Sequence, residues 1–185
     1  MSELPEILEL GPEEEARRLW AGAQEAQAAA PRSLVALCEA LDLGLRAAEI
    51  LVTHRLQPVK DQFPATIAIQ LETPSPEVDP FRDAVHIPHS LPFTAVLDLL
   101  SAQELECVSP GLHRGWEDRR FSCRRSRVTA REALGIELGE EERSHLLRLS
   151  AYRNRLFRAP PPVRVVSREI LGAFGSLNRL VERLI

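Results

Sequence analysis

Leu34-Val35-Ala36-Leu37-Cys38-Glu39-Ala40-Leu41-Asp42-Leu43-Gly44-Leu45-Arg46-Ala47-Ala48-Glu49-Ile50-Leu51-Val52-Thr53-His54 is the stretch that decides the fold class. Leu34, Leu37, Cys38, Leu41, Leu45, Ala48 and Val52 recur largely in steps of three and four. That period places side chains along one face of an α-helix. Pro31 marks a break before it, so a helix is expected from there to about His54. A stripe this long needs partner helices, and its ordinary use is core packing in a bundle.

Working towards the N-terminus, residues 1–30 read as an acidic segment with one helix. Pro12 suits a first helical position, where its missing N–H costs nothing. Glu13, Glu14 and Glu15 then lie at the positive end of the helix dipole. Ala16, Leu19, Trp20 and Ala23 follow at helical spacing.

Working towards the C-terminus, residues 57–92 contain Pro58, Pro64, Pro74, Pro76, Pro80, Pro88 and Pro92. Such proline density excludes a long helix and predicts an irregular insertion. Ile67, Ile69 and Leu71 alternate as a short strand would. Ser90 is a candidate cap for a third helix carrying Val96, Leu97 and Leu100. Thr129 and Glu132 form a capping box for a short fourth helix that Gly135 can end. Glu140, Glu141 and Glu142 open a fifth helix, stopped by Pro160-Pro161-Pro162. After an extended stretch from Val163 to Val166, Ser167 is a candidate cap for a last helix. That helix puts Ile170, Leu171, Phe174, Leu177, Val181 and Leu184 on one face. The expected architecture is all-α: an antiparallel helical bundle of about five or six helices with a Pro-rich excursion and one short strand.

The bulk properties agree with one domain spanning residues 1–185, long enough to bury a core without disulfides or a structural metal. Aromatic residues are only 5% of the chain, so the core must be built mainly of Leu, Val and Ala. No run approaches the roughly 20 apolar residues of a membrane helix, so no membrane partner is expected. The acidic opening lacks the basic and apolar regions of a signal peptide. Cys38, Cys107 and Cys123 form no Cys-x-x-Cys pair, which fits a reducing, cytoplasmic setting.

Net charge is −4, unevenly spread. From Arg114 to Arg131 the chain carries Arg114, Arg119, Arg120, Arg124, Arg125, Arg127 and Arg131 against Glu117 and Asp118. A basic face on an acidic protein suits phosphate ligands. Equally, Lys60 is the only lysine, so arginine is the standard cation throughout.

His86-x-x-His89 resembles half of a metal site, but Pro88 lies between the two histidines and no third or fourth ligand is spaced to complete it. Cys107, His113 and Cys123 match no common zinc spacing. There is no phosphate-binding glycine loop, no Gly-x-Ser-x-Gly elbow and no His-Glu-x-x-His. No metal and no cofactor are expected, and no catalytic residue can be assigned.

The most specific signal is Tyr152-Arg153-Asn154-Arg155-Leu156-Phe157-Arg158, at the end of the fifth helix. Residues 129–185, with Arg153-Asn154 at the end of one amphipathic helix and another following, resemble the HEPN superfamily. These are helical domains of prokaryotic RNases, toxins and defence proteins. Before residue 129 the likeness is architectural only.

The resemblance implies an RNA- or nucleotide-binding module, part of a bacterial RNA-processing, toxin-antitoxin or defence system. It also implies a homodimer with the two Arg-Asn segments facing each other. Arg153, Asn154, Arg155 and Arg158 become the candidate RNA- or anion-binding residues. Active members of the family carry histidine where this chain has Arg158. Their metal-independent cleavage profits from a group that exchanges protons near neutral pH. Arginine stays protonated and cannot act as a general base, so no robust nuclease activity is expected. Residues 153 and 158 are also about 140° apart on an ideal helix. Other readings remain open at this point, among them an active nuclease that uses unconventional residues. Arg153, Arg155 and Arg158 can form a solvated basic helix end. The chain can also be a protein-interaction adaptor that docks a protein partner through its helical stripe or Pro-rich loop.

Overall fold

The computed structural model of the chain describes residues 8–9, 11–63, 71, 85–86, 90–101, 130–158 and 166–185. Among them are six α-helices: α1 (Pro12–Ala29), α2 (Leu34–Leu56), α3 (Phe93–Ser101), α4 (Ala130–Leu134), α5 (Glu140–Arg158) and α6 (Ser167–Leu184). The fold is all-α, as the apolar spacing predicts. One short parallel pairing joins β1 (Leu8–Glu9) to β2 (Val85–His86), with Leu8 opposite Val85 and Glu9 opposite His86.

The helix ends follow from local chemistry. Pro12 opens α1, with Glu13, Glu14 and Glu15 in its first turn. Pro31 lies in a 3-10 turn, Ala30–Arg32, that separates α1 from α2. Ser33 caps α2, its Oγ accepting the Ala36 N–H at 3.2 Å. Gly135 follows α4 with φ of +66°, the left-handed conformation that lets a helix end there.

Two expected caps are placed differently. Ser90 stands three residues before α3 begins and so is too early to cap it. Ser167 is itself the first residue of α6, and Val166 holds the cap position without a side-chain bond. Of the expected strand residues Ile67, Ile69 and Leu71, only Leu71 is described. Leu71 is helical and fully buried, whereas Ile67 and Ile69 lie outside the described residues. His89, Cys107, His113, Cys123, Thr129 and the basic stretch from Arg114 to Thr129 lie outside the described residues.

The second helix is the axis of the bundle. It packs along α1 most extensively and also touches α3, α4, α5 and α6. Leu37, Leu41, Leu45, Ala48 and Val52 are buried as expected, whereas Leu34 is exposed and Cys38 is partly exposed. Beyond the stripe, every residue from Ala47 to Thr53 is buried, which a helix shows only when neighbours surround it. Small residues permit that crowding. A Cβ on Gly44 would lie 2.9 Å from Leu177 Cδ2 and 3.7 Å from Ala23 Cβ, so α2 meets α6 and α1 closely there. Phe63, Leu71 and Leu91 join the same core, so residues 57–92 include inward anchors as well as prolines.

Polar contacts fix α6 in place. Gln27 of α1 and Asn178 of α6 exchange two amide hydrogen bonds, of 3.1 and 3.2 Å. The Tyr152 hydroxyl donates to Glu169 Oε2 at 2.7 Å. That bond, aided by burial, pushes the tyrosine's pKa above its usual value. No helix among the described residues is long and apolar enough to cross a membrane.

Candidate functional site

The Arg153-Asn154 segment lies near the end of α5, where that helix meets α2 and the chain entering α3. Arg153 does not project into solvent. Its Nη2 pairs with Glu49 Oε1 at 2.5 Å, and the two side chains are only 16% and 8% exposed. Glu49 Oε1 also accepts the Phe93 N–H at 2.7 Å. One carboxylate therefore satisfies the first amide of α3, the function assigned above to Ser90, and neutralises the guanidinium from α5.

Thr53, one turn later on α2, completes the junction. Its hydroxyl donates to the Glu49 carbonyl and accepts the Leu91 N–H, each at 2.7 Å. The result joins three helices through buried polar groups that are all paired, the condition under which such groups are tolerated.

An open cleft of about 350 Å³ lies over this junction. Asp42, Arg46, Glu49, Ser90, Leu91, Pro92, Arg153, Asn154 and Phe157 line it. The Asn154 side chain is half-buried and has no hydrogen-bond partner among the described residues. Phe157, one turn further, is 58% exposed. Arg46 on the opposite wall is 41% exposed and reaches Asp42 only at 3.8 Å.

Arg155 is exposed but does not line the cleft. The Arg158 side chain lies outside the described residues. The helix runs unbroken through position 158, so no bend within it brings positions 153 and 158 onto one face. His145 does not line the cleft; its Nδ1 is 2.9 Å from Ser176 Oγ of α6. Burial pushes the Cys38 thiol pKa up, away from the reactive thiolate. One further polar group is notable. The Ser150 hydroxyl is the buried side-chain atom without a partner among the described residues, four residues before Asn154 on the same stripe of α5.

Of the four sequence-predicted residues, the structure therefore brings Arg153 and Asn154 to one cleft. Asp42, Arg46, Glu49, Leu91 and Phe157 are cleft residues to which spacing assigned no role. Glu49 had a signal nonetheless: it is the one charged residue in the run from Ala47 to Thr53, and a carboxylate in such a run must find a partner.

Fold and site together define an all-α bundle with an open, charge-compensated cleft at a three-helix junction. No protein-family model matches the chain, no characterised protein matches it, and no solved structure matches it.

Proposed function

We propose that the chain is a HEPN-like RNA- or nucleotide-binding module without robust nuclease activity, acting as a homodimer in a bacterial RNA-processing, toxin-antitoxin or defence system. The observation that carries this reading is the cleft at the end of α5. There Asn154 offers an amide that no described residue engages and Phe157 an exposed ring, while Arg46 supplies a part-exposed guanidinium that reaches Asp42 only at 3.8 Å. An amide both donates and accepts, an aromatic face stacks on any base, and a guanidinium holds a phosphate. Arg153 takes a different part from the one its motif suggests. Glu49 neutralises it, so it shapes the cleft floor and is not the main anion contact.

The test incubates the full chain with single-stranded RNA, without metal, and reads both binding and cleavage. Binding without cleavage is expected, with Asn154→Ala weakening the binding and the fold unchanged. Arg158→His tests whether a titratable group restores cleavage. Robust cleavage by the unmodified chain would overturn the inactive reading. Light scattering should give twice the chain mass.

A second reading has one observation in its favour. Leu34 and Val35 are 60% and 76% exposed at the start of α2, beside a groove lined in part by Leu37, Leu156 and Leu171. An adaptor docking a protein partner there would lose its partner on Val35→Ser and show no RNA binding at any ionic strength.

A further inference from the structure

The cleft's charges say which nucleotide chemistry it can take, an inference that rests on the nucleotide-binding reading. Four charged side chains line it: Asp42, Arg46, Glu49 and Arg153. They cancel in pairs. Glu49 and Arg153 are closed on each other at 2.5 Å and largely covered, so the floor offers an incoming anion no spare positive charge. Asp42 and Arg46 stand 3.8 Å apart on the wall, beyond a good hydrogen bond. Arg46 can therefore turn to one phosphate at little cost. A triphosphate or a duplex brings several negative charges close together and needs a net positive field, which the described lining residues do not supply.

Size and lining point the same way. The volume, about 350 Å³, stands near the lower end of small-molecule clefts, enough for a base and its sugar but not for a stack of bases. Phe157 and Asn154 lie three residues apart on α5, one turn of the helix. A base stacked on the ring would then bring its edge to the amide, the manner in which unpaired bases are read.

We infer that the cleft holds a single unpaired nucleotide: one base on Phe157, its edge at Asn154 and one phosphate at Arg46. The chemistry is that of a nucleoside monophosphate, whether free in solution or part of a single strand.

The experiment titrates the full chain with the four nucleoside 5′-monophosphates, a nucleoside triphosphate, a ten-residue single-stranded RNA and the corresponding duplex. Monophosphate or single strand should bind, the triphosphate no tighter than the monophosphate, and the duplex weakest. A single strand binding about tenfold tighter than the monophosphate assigns the site to a strand; equal affinity assigns it to the free nucleotide. Phe157→Ala and Phe157→Leu should each weaken binding by about 5- to 100-fold, because both remove the stacking face. Arg46→Ala should flatten the salt dependence by about 0.7 in log–log slope, the value for one phosphate contact on a single strand. Tighter binding of triphosphate or duplex would overturn the single-nucleotide inference while leaving nucleotide binding intact. No binding by any probe, with the helical spectrum unchanged, would overturn both.

Discussion

The two ends of α5 solve the same electrostatic problem in different surroundings. Near its start, Glu142 accepts from Arg179 Nε at 2.9 Å and from Arg183 Nη2 at 3.1 Å, both on α6. Those arginines are 52% and 39% exposed, so water competes for them. Near its end, Arg153 meets Glu49 where both side chains are covered, and the same carboxylate also holds the first amide of α3. The lesson is that an ion pair's value is set by what loses its partner when the pair breaks. At the start of α5, water takes the place of the carboxylate at the two exposed arginines, and Glu142, 15% exposed, keeps one arginine if the other is lost. At the end, a charge and a backbone N–H are left with little water to replace it.

The largest expected effect follows directly. Glu49→Ala and Arg153→Ala should each destabilise the fold by about 3–5 kcal/mol, the range for breaking a buried pair by removing one partner. In a chain of this length each kcal/mol lowers the melting temperature by about 2–4 °C. Glu49→Gln should cost less than Glu49→Ala, because its amide oxygen can still accept the Phe93 N–H. The double variant should cost less than the sum of the singles, since removing either partner already breaks the interaction. Thermal unfolding of the four chains checks this, and additive single costs below about 1 kcal/mol would erase the contrast between the two ends. A consequence for function follows: loss of RNA binding in Arg153→Ala would report damage to the junction, so Asn154 and Phe157 are the informative positions.

The fold was more legible than the site for a physical reason. Apolar residues at helical spacing carry their own evidence, and so do Pro12 before α1 and Gly135 after α4, because a local backbone rule produces each. Glu49 and Arg153 are 104 positions apart. No spacing rule connects them, so Arg153 reads as a free cation until the bundle brings α2 beside α5. The cap of α3 is hidden from the sequence for the same reason. Ser90 is the local candidate, whereas the acceptor that serves Phe93 comes from another helix. Leu34 continues the stripe of α2 in sequence but is exposed, because periodicity does not reveal where the neighbouring helices stop. The Arg153-Asn154 segment was legible as an unusual helix end. The partner of its arginine was not.

Glu142 should give a smaller effect with a clear pH signature. Partial burial pushes its carboxyl pKa up, but the hydrogen bond from Arg179, the Gly139 N–H and the charge of Arg183 together hold it below its usual value. A carboxylate depressed in the folded state contributes stability above its unfolded pKa, about 4.3, and loses it as pH falls through the folded value. Glu142→Gln should therefore cost about 1 kcal/mol or less near neutral pH. Its stability should converge with that of the unmodified chain as the pH falls below the folded value. A difference that persists unchanged at acid pH would mean Glu142 acts through packing and not through its charge.

The smallest effect belongs to a pair with neither burial nor a second helix. Glu13 and Arg17 approach to 3.9 Å on α1 with side chains 57% and 61% exposed. Such a pair, four residues apart, contributes about 0.3–0.5 kcal/mol. Glu13 also lies in the first turn, where the helix dipole favours a carboxylate by about 0.3–1 kcal/mol at low salt. Arg17→Gln removes the pair alone, and Glu13→Gln removes both contributions, so Glu13→Gln should cost slightly more. Raising the salt to about 1 M shortens the screening length to roughly 3 Å, and both costs should then vanish. The cost of Glu49→Gln should be far less sensitive to the same salt, because both side chains of that pair are largely covered. Equal salt sensitivity at Glu13 and Glu49 would show that water and ions enter the α2–α3–α5 junction, and with it would go the argument that Arg153 is withheld from solvent anions.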